Sequence, residues 1–240
     1  AEIKSDNSPV TIADRESEAL ILDALARVAP GIPVVSEEAA AEGHVPAVEN
    51  RFFLVDPLDG TKPYLRREPY FTINIAMIEN GRPVFGLVYA PAIPDFFVTL
   101  GTGLAAATRL PPSSTAQTLG ELQLETLRTR PADAAAIKAL TSQSHLNTET
   151  RRFLDGYTVA DRRAISSSLK FGMLARGEAD VYPRVGPTSE WDTAAGHAVL
   201  AAAGGTVLTL GGLPLNYGKP GFKNPNFVAW ANAPLAPSRV

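Results

Sequence analysis

Two aspartates stand three residues apart in the stretch LVDPLDGT, directly after a run of apolar residues. Asp56 and Asp59 lie on either side of a proline in a segment that a glycine then ends, so they share one tight bend with the carbonyl of Leu58 and the hydroxyl of Thr61. Carboxylates about 4 Å apart repel each other by about 4 kcal/mol at an effective dielectric near 20. A cation between the two carboxylates would turn this repulsion into a net attraction. Oxygen ligands favour magnesium or manganese.

Further acids stand at the ends of other predicted elements, which is where ligands bind in many sheet proteins. Glu37 and Glu38 follow an apolar segment, and by themselves they are equally typical of a solvated surface. Asp192 closes the sequence Ser189-Glu190-Trp191-Asp192 at the start of a predicted helix. Its spacing from Ser189 is that of a capping box, so a capping role and a metal-binding role both remain open.

The composition limits the other kinds of chemistry. The 240 residues include no cysteine, which excludes disulfides and thiolate nucleophiles, and His44, His145 and His197 are not spaced like zinc ligands. The net charge of -3 provides no basic surface for nucleic acid polymers. No apolar run reaches the length of a membrane span, whereas peripheral contact with a membrane stays open. Neither a Walker A loop nor a nucleophilic serine elbow is present.

The elements that would position these acids begin with an amphipathic helix over residues 12–28, preceded by Thr11. Short apolar segments then predict strands, and Asn80-Gly81 is a strong hairpin signal between two of them. The predicted strands form a largely antiparallel meander over residues 32–36, 51–55, 71–78, 83–90 and 95–100.

A segment rich in proline, serine and threonine, residues 110–132, predicts a connection between two halves of the chain. The second half alternates strands and helices, which indicates layered sheets and helices. We expect strands at 137–142 and near Val181, Val207 and Phe227, and helices after Asn147 and over 168–175 and 191–203.

Four motifs together resemble the magnesium-dependent, lithium-sensitive phosphatases of the inositol monophosphatase superfamily. They are KSDNSPVTIAD (4–14), VVSEE (34–38), LVDPLDGTK (54–62) and GPTSEWDTAAGHAVLAAAGG (186–205). Lys62 and the segment SSLKFG (167–172) look most like the 3'(2'),5'-bisphosphate nucleotidase branch, which serves sulfur assimilation. The resemblance implies an α/β protein of the layered αβαβα sugar-phosphatase fold. Residues 1–130 would be an α+β metal-binding half, and residues 131–240 would be an α/β half that recognises the substrate and adds one metal ligand.

The resemblance also implies roles for individual residues. Asp14 and Thr61 would be catalytic and would orient the water that attacks phosphorus. The alternative for Asp14 is a first-turn acid of the helix after Thr11. The Mg²⁺ ions, two or three in number, would be bound by Glu37, Asp56, the Leu58 carbonyl, Asp59 and Asp192. The substrate would be bound by Gly60, Ser144, His145, Ser167, Lys170 and Arg184.

The implied reaction is hydrolysis of the 3'-phosphate of 3'-phosphoadenosine 5'-phosphate to AMP and phosphate. Ser166 and Gln143 depart from the family pattern close to the substrate residues, so inositol monophosphatase or fructose 1,6-bisphosphatase activity is the alternative. A non-catalytic metal- or nucleotide-binding module is a third hypothesis. We expect a cytoplasmic enzyme with a nucleotide bisphosphate as its partner, and a homodimer or contact with the inner membrane stays open. The family usually has a further helix upstream, which we expect to have been removed or to lie outside the printed chain.

Overall fold

The computed structural model describes residues 2–3, 9–144 and 146–237. Its strands are β1 (Glu2–Ile3), β2 (Pro9–Val10), β3 (Val34–Ser36), β4 (Arg51–Asp59), β5 (Thr72–Glu79), β6 (Arg82–Ala90), β7 (Asp95–Gly101), β8 (Leu104–Arg109), β9 (Glu125–Thr126), β10 (Ile137–Ser142), β11 (Val159–Ile165), β12 (Val181–Arg184), β13 (Thr206–Thr209) and β14 (Phe227–Trp230). Its α-helices are α1 (Ile12–Val28), α2 (Glu37–Ala41), α3 (Thr61–Leu65), α4 (Thr148–Asp155), α5 (Leu169–Ala175) and α6 (Ala194–Ala202).

The first large sheet contains seven strands in the order β3-β4-β5-β6-β7-β8-β9, so neighbours in sequence are neighbours in space. Only the pair β3 and β4 is parallel, and the others are antiparallel. Asn80 and Gly81 form the tight turn between β5 and β6, and both have positive φ angles (51° and 75°), as a type I′ turn requires. The predicted meander and its hairpin are confirmed.

The second large sheet has five strands in the order β11-β10-β12-β14-β13. Strand β10 is parallel to both of its neighbours, whereas β14 is antiparallel to β12 and β13. A parallel pair needs a crossover connection, and helices α4 and α5 provide it on either side of β11. The two-stranded sheet of β1 and β2 stands apart from both.

Helices separate the two sheets and cover their outer faces. Helix α1 packs on β4, α5 and α6 lie between the sheets, and α4 packs on β12 of the second sheet. The main hydrophobic core includes residues from both sheets and from α5 and α6. Close approach requires glycine here, because a Cβ on Gly86 of β6 would lie 2.2 Å from the carbonyl oxygen of Ala195. The layered α/β fold is therefore as predicted.

Some predicted boundaries were wrong. Strand β4 does not end at Val55 but continues to Asp59 across a register shift, because Asp56 and Asp59 still pair with β5. The expected helix 191–203 is divided into a 3₁₀ turn, Glu190–Asp192, and helix α6. Within the connection 110–132, β9 pairs with β8, so that segment completes the first sheet.

Five strands were not predicted, namely β1, β2, β8, β9 and β11. Strand β8 is rich in alanine, which has a low strand propensity, and it forms because it pairs with β7 over most of its length. Strand β11 lies at the edge of the second sheet, and most of its residues are exposed. The division of the chain into residues 1–130 and 131–240 stays a proposal. In the described residues, no helix has the length and apolar character that crossing a bilayer requires.

Candidate active site

A cavity of about 300 Å³ lies where the end of β4 meets the start of α5. Its walls come from both halves of the chain, which are far apart in sequence and close together in space. Of the residues singled out from the sequence, those that line it are Glu37, Asp56, Leu58, Asp59, Gly60, Thr61, Ser144, Ser167, Lys170, Arg184 and Asp192. Asp14 lies behind Thr61, and His145 lies outside the described residues.

The bend that carries the two aspartates is held by its own hydrogen bonds. The backbone N–H of Leu58 donates to Oδ1 of Asp56 over 3.0 Å, and the Ser17 hydroxyl of α1 donates to the Pro57 carbonyl over 2.9 Å. Gly60 then takes a φ of 101°, which places it in the left-handed region. The sequence DPLDG thus brings Asp56, Leu58 and Asp59 to the same cavity wall.

Asp14 uses its two carboxylate oxygens for different tasks. Oδ2 accepts hydrogen bonds from the backbone N–H and the hydroxyl of Thr11, at 2.7 and 2.6 Å, and so completes a capping box on α1. Oδ1 accepts a hydrogen bond from the Thr61 hydroxyl over 3.2 Å. The capping role and the contact with the cavity residue Thr61 therefore occur together in one buried side chain.

Asp192 combines two positions in the same way. Its Oδ2 accepts a hydrogen bond from the backbone N–H of Ser189 over 2.8 Å, which forms a capping box on the 3₁₀ turn rather than on a long helix. Its side chain also lines the cavity. The two interpretations left open by the sequence are thus compatible, because one oxygen caps the turn while the group borders the cavity.

Glu37 and Glu38 do not form a solvated pair. Both belong to the short helix α2, where Glu37 lines the cavity and Glu38 is buried. A carboxylate oxygen of Glu18 in α1 accepts hydrogen bonds from the backbone N–H groups of Glu38 and Ala39, each over 3.2 Å. The bond from α1 to α2 therefore holds Glu37 at the edge of the cavity.

Burial and the charges of neighbouring acids raise the pKa values of three aspartates in the cavity, Asp56, Asp59 and Asp192. The pKa of Asp59 is raised to about 6, mainly by burial, and the pKa of Asp192 is raised to about 8 by burial and then by Asp59 and Glu37. The pKa of Asp56 is also raised well above its usual value, by burial and then by Glu37, Asp59 and Asp192. These carboxylates are close enough to repel one another.

Two buried cations face the same cavity. Lys170 is 3% exposed, its ammonium donates to the carbonyls of Ile165 and Ser167, and it lies 4.8 Å from the ring centre of Tyr182. Burial lowers the pKa of Lys170 to about 7, although Asp59 opposes the shift. Lys170 is therefore a buried residue of the cavity wall and not a solvated surface lysine.

Arg184 is also buried and incompletely satisfied. One terminal nitrogen donates to the Pro187 carbonyl over 2.8 Å, whereas Nε is buried without a hydrogen-bond partner. The Arg184 side chain lines the cavity, and a guanidinium suits an anion because it can donate several hydrogen bonds in a fixed plane. Lys170 and Arg184 therefore form a cationic region next to the acids.

Sequence reasoning missed several residues of this site. Those that line the cavity without having been assigned a role are Pro9, Lys62, Pro63, Ser142, Ser166, Ser168, Phe171, Tyr182, Pro187, Thr188 and Thr193. Ser166 donates to Oε1 of Gln143 over 3.0 Å, so the two departures from the family pattern are in contact. Most of these residues reach the cavity only through the packing of α5, β12 and the 3₁₀ turn, and carry no local signal.

The donor set fits a hard divalent cation, because it consists of carboxylates and one peptide carbonyl and contains no sulfur. In the described part of the chain, no three acidic or histidine side chains already surround a common point. The acids do affect one another electrostatically, as the pKa of Asp56 shows. A site with fewer than three carboxylates on one ion fits magnesium, which usually keeps several water ligands and binds through one or two carboxylates.

Comparisons with known proteins agree with this geometry. The profile of the inositol monophosphatase family matches residues 1–238. The chain is 42% identical over 225 residues to the 3'(2'),5'-bisphosphate nucleotidase CysQ of Shigella flexneri, covering 93% of this chain and 86% of that protein. It is 40% identical to CysQ of Escherichia coli K12, with the same coverage of both.

Solved structures show the same fold. The crystal structure of CysQ from Bacteroides thetaiotaomicron, a bacterial member of the inositol monophosphatase family, has a TM-score of 0.81 and 34% identity, covering 96% of this chain and 87% of that one. An IMPase from Thermotoga maritima has a TM-score of 0.74 at 23% identity, covering 96% of this chain and 83% of that one, and supports the fold alone. The chain therefore belongs to the inositol monophosphatase family, a family of phosphatases.

Proposed function

We propose that this protein is a magnesium-dependent 3'(2'),5'-bisphosphate nucleotidase, which hydrolyses the 3'-phosphate of 3'-phosphoadenosine 5'-phosphate to AMP and phosphate. The observation that carries the proposal is the joint lining of one cavity by four acids and two buried cations. The acids are Glu37, Asp56, Asp59 and Asp192, and the cations are Lys170 and Arg184. The two bacterial relatives at 40–42% identity carry this activity in their names.

The acidic part of the cavity suits the phosphate that is cleaved. Glu37, Asp56, Asp59, Asp192 and the Leu58 carbonyl would hold magnesium, which supplies charge neutralisation at the phosphate and a lowered pKa for the attacking water. Carboxylates alone would repel a phosphate, so the cation makes this wall suitable for an anion.

Thr61 and Asp14 suit the orientation of the attacking water. Because the Thr61 hydroxyl donates its proton to Oδ1 of Asp14, its oxygen lone pairs remain available to accept a hydrogen bond from a water in the cavity. Asp14 is fixed by its bonds to Thr11, so Thr61 is held in that orientation. Thr61 would thus position the water. As the water attacks, its proton would pass to the Thr61 oxygen while the Thr61 hydroxyl proton passes to Oδ1 of Asp14, so the Asp14 carboxylate would be the final proton acceptor.

The cationic part of the cavity suits a second phosphate that the metal does not hold. Lys170 and Arg184 are both buried, and both line the cavity. A substrate with two phosphates would satisfy both the metal-binding acids and these cations. Inositol 1-phosphate carries only one phosphate and would leave the cations without an anion. We therefore favour a nucleotide bisphosphate over a sugar monophosphate.

Phosphate release tests the proposal directly. Release is measured from 3'-phosphoadenosine 5'-phosphate, inositol 1-phosphate and fructose 1,6-bisphosphate, each with magnesium, with chelator, and with added lithium. We expect the highest kcat/KM for the nucleotide, loss of activity in chelator, and inhibition by lithium. Preference for a sugar phosphate would retain the metal chemistry and refute the nucleotide assignment.

A pair of matched variants separates catalysis from simple binding. Asp59→Asn should lower turnover by at least about 100-fold if a metal ion held by Asp59 is essential. Asp23→Asn makes the same chemical change on the exposed face of α1, where Asp23 pairs with Arg27, and should retain full activity. Equal activity of the two variants would contradict the proposed mechanism, and absence of phosphate release from all three substrates would favour a binding module.

A further inference from the structure

A buried chain of hydrogen bonds lies directly behind Asp59. Thr72, Asn74 and Ser168 are 0%, 1% and 2% exposed, and the Ser168 hydroxyl lies 2.5 Å from Oδ1 of Asn74 and 2.9 Å from the Thr72 hydroxyl. Because Oδ1 of Asn74 can only accept, the Ser168 hydroxyl donates to it, and Thr72 must donate to Ser168. The chain therefore has one direction, from Thr72 through Ser168 to Asn74.

The same serine also binds the acid itself. The backbone N–H of Ser168 donates to Oδ2 of Asp59 over 2.6 Å, across 109 positions of sequence. Strand pairing places Thr72 opposite Asp59 and Asn74 opposite Asp56. The side of the cavity that carries Glu37, Asp56, Asp59 and Asp192 is called the acidic wall here. Ser168 is bonded to two neighbouring strands of this wall, to β4 through its backbone and to β5 through its side chain.

On its other side, Ser168 continues into the cationic region. The preceding residue, Ser167, has a φ of 59°, and its carbonyl accepts a hydrogen bond from the Lys170 ammonium. Lys170 follows two residues later, in the first turn of α5. Ser168 is thus the point where the segment that carries Lys170 is joined to Asp59.

Maximal stability does not account for a polar chain at this place. Buried polar groups cost free energy unless each is satisfied, and apolar residues of the same shape are often at least as stable. Nδ2 of Asn74 makes no hydrogen bond of normal geometry, although Asn74 lies close enough to Asp59 to lower the pKa of that acid. The Thr72 hydroxyl, the Ser168 hydroxyl and Oδ1 of Asn74 are all paired within the chain, and this paired part fixes the position of Ser168.

We propose that Ser168 is a positioning residue for the reaction, held by Thr72 and Asn74, which keeps Asp59 and the Ser167–Lys170 segment in one fixed arrangement. The inference rests on the proposed function: the phosphate at the acidic wall and the phosphate at Lys170 would be placed relative to each other through this one residue. Although Ser168 borders the cavity, this role concerns its bonds to other residues and not a contact with the substrate. It acts through Asp59 on one side and through Lys170 on the other.

Three variants test the proposal at the hydroxyl groups. Ser168→Ala removes the central hydroxyl, and Thr72→Val removes one donor while keeping the side-chain shape. Thr72→Ser keeps the hydroxyl and removes only a methyl group, so it is the matched control for a purely structural role. All three are measured well below their melting temperatures, by kcat and KM for 3'-phosphoadenosine 5'-phosphate and by calorimetric Mg²⁺ affinity.

The expected pattern separates positioning from packing. Ser168→Ala and Thr72→Val should lose about 10- to 100-fold in kcat or in Mg²⁺ affinity, as is usual for groups that orient metal ligands. Thr72→Ser should stay within about threefold of the parent protein in both, although its loss of a buried methyl lowers its melting temperature. If Ser168→Ala does not fold, Thr72→Val against Thr72→Ser carries the comparison.

The variants distinguish a failure of the positioning role of Ser168 from a failure of the proposed function. If Thr72→Val and a folded Ser168→Ala retain the parent kcat and Mg²⁺ affinity and differ only in melting temperature, the positioning role is wrong and the chain is structural. If Asp59→Asn itself retains turnover, the proposed function fails whatever the Thr72 variants show. Loss of activity in Asp59→Asn together with unchanged Thr72→Val would overturn the positioning role alone.

Discussion

Glu190 and Asp192 are only two residues apart, yet they lie in opposite kinds of surroundings. Glu190 is fully buried, and its carboxylate accepts hydrogen bonds from the backbone N–H groups of Gly218 and Lys219, at 2.6 and 3.0 Å, and pairs with the Lys219 ammonium at 2.5 Å. Asp192 lines the cavity, and burial and neighbouring acids raise its pKa to about 8. The negative charge of Glu190 is compensated by hydrogen bonds and an ion pair within the protein. The charge of Asp192 has other acids beside it and is not compensated in this way.

Other buried acids fall into the same two groups. Asp180 is fully buried and accepts a hydrogen bond from the backbone N–H of Lys138 over 2.7 Å. Its Oδ1 lies 2.8 Å from a terminal nitrogen of Arg130, which is ion-pair distance, although the two groups are not aligned for a hydrogen bond. Asp56, which is 1% exposed, instead has acids among its neighbours. Removing a carboxylate from water costs several kcal/mol, so a compensated acid supports the fold, whereas an uncompensated acid indicates a site for a cation.

The largest expected effect comes from neutralising one of the uncompensated acids, Asp56. Asp56→Asn should lower phosphate release by at least about 100-fold, because a metal ligand is lost. In chelator, the variant should melt at the same temperature as the parent protein or higher, because one of several repelling carboxylates has become neutral. Phosphate assays and thermal melts check the two halves of this prediction. A variant that is both inactive and much less stable in chelator would place Asp56 with the structural acids.

The second prediction concerns the cations on the other side of the cavity. Lys170→Ala should raise KM for 3'-phosphoadenosine 5'-phosphate by about 10- to 100-fold, since a charge-assisted bond to phosphate is worth about 1.5–3 kcal/mol. KM for inositol 1-phosphate should change much less, because that substrate has no second phosphate. Steady-state kinetics with both substrates gives the comparison, and equal shifts would remove Lys170 as a ligand of the second phosphate.

The third prediction concerns the removal of a charge from a compensated acid, Glu190. Glu190→Gln should lower the free energy of unfolding by about 2–3 kcal/mol, because the Lys219 ammonium loses its ionic partner and one backbone N–H faces an amide donor. Turnover per folded molecule should fall by less than about fivefold, since Glu190 does not line the cavity. Urea unfolding with activity measured on the folded fraction tests this. A large loss of turnover at unchanged stability would contradict the structural assignment.

The smallest expected effect is a pH dependence of stability in chelator. The folded pKa values of about 6 for Asp59 and about 8 for Asp192 lie above the value near 3.9 of an unfolded aspartate. Between these values the folded state holds protons on Asp59 and Asp192 that the unfolded state has released, so these two acids lower the stability as the pH rises from about 5 to about 8. Lys170 and His197, whose pKa values burial lowers to about 7 and about 4, have the opposite effect, so the contribution of Asp192 is measured as the difference in melting temperature between Asp192→Asn and the parent protein. Magnesium should stabilise the protein more at the higher pH, because it binds the ionised acids.

Variants and metal titration check this pH effect by thermal melts. Asp192→Asn should remove one falling contribution to the slope in chelator, since it removes the group with the higher pKa. Asp23→Asn, on the exposed face of α1, is the control that should leave the slope unchanged. In chelator, the melting temperature of Asp192→Asn relative to the parent protein should rise from about pH 5 to about pH 8, and a difference that stays constant or falls would contradict the unfavourable burial of Asp192.

Much of the fold could be predicted because its signals are local. The capping box at Thr11, the Asn80-Gly81 turn and the apolar alternation of β5 and β6 each act within a few residues. Strands β8 and β11 were missed because neither has a local pattern: one is rich in alanine, and the other is an exposed edge strand that depends on parallel pairing with β10. Non-local pairing cannot be deduced from the strand's own residues.

The residues of the candidate site differ in the same way, because some carry a local sequence signal and others do not. Asp56 and Asp59 could be singled out because two acids beside a proline and a glycine are unusual after an apolar run. Thr72 and Asn74 left a weaker signal, since they are the polar members on the buried face of β5, whose pattern alternates strictly. Tyr182 and Thr193 had none, because only the meeting of the two halves brings them to the cavity.

The sequence by itself determined the turn chemistry, the capping residues, the absence of thiols and the family, because each depends on residue type and short spacing. Only the tertiary structure decided which buried acids are compensated, since Glu190 meets Lys219 across 29 residues and Asp59 meets Ser168 across 109. It also decided that Lys170 and Arg184 are buried beside the acids. The physical reason is that electrostatic energy depends on distance and burial, and both are set by the packing of the two sheets around α5 and α6.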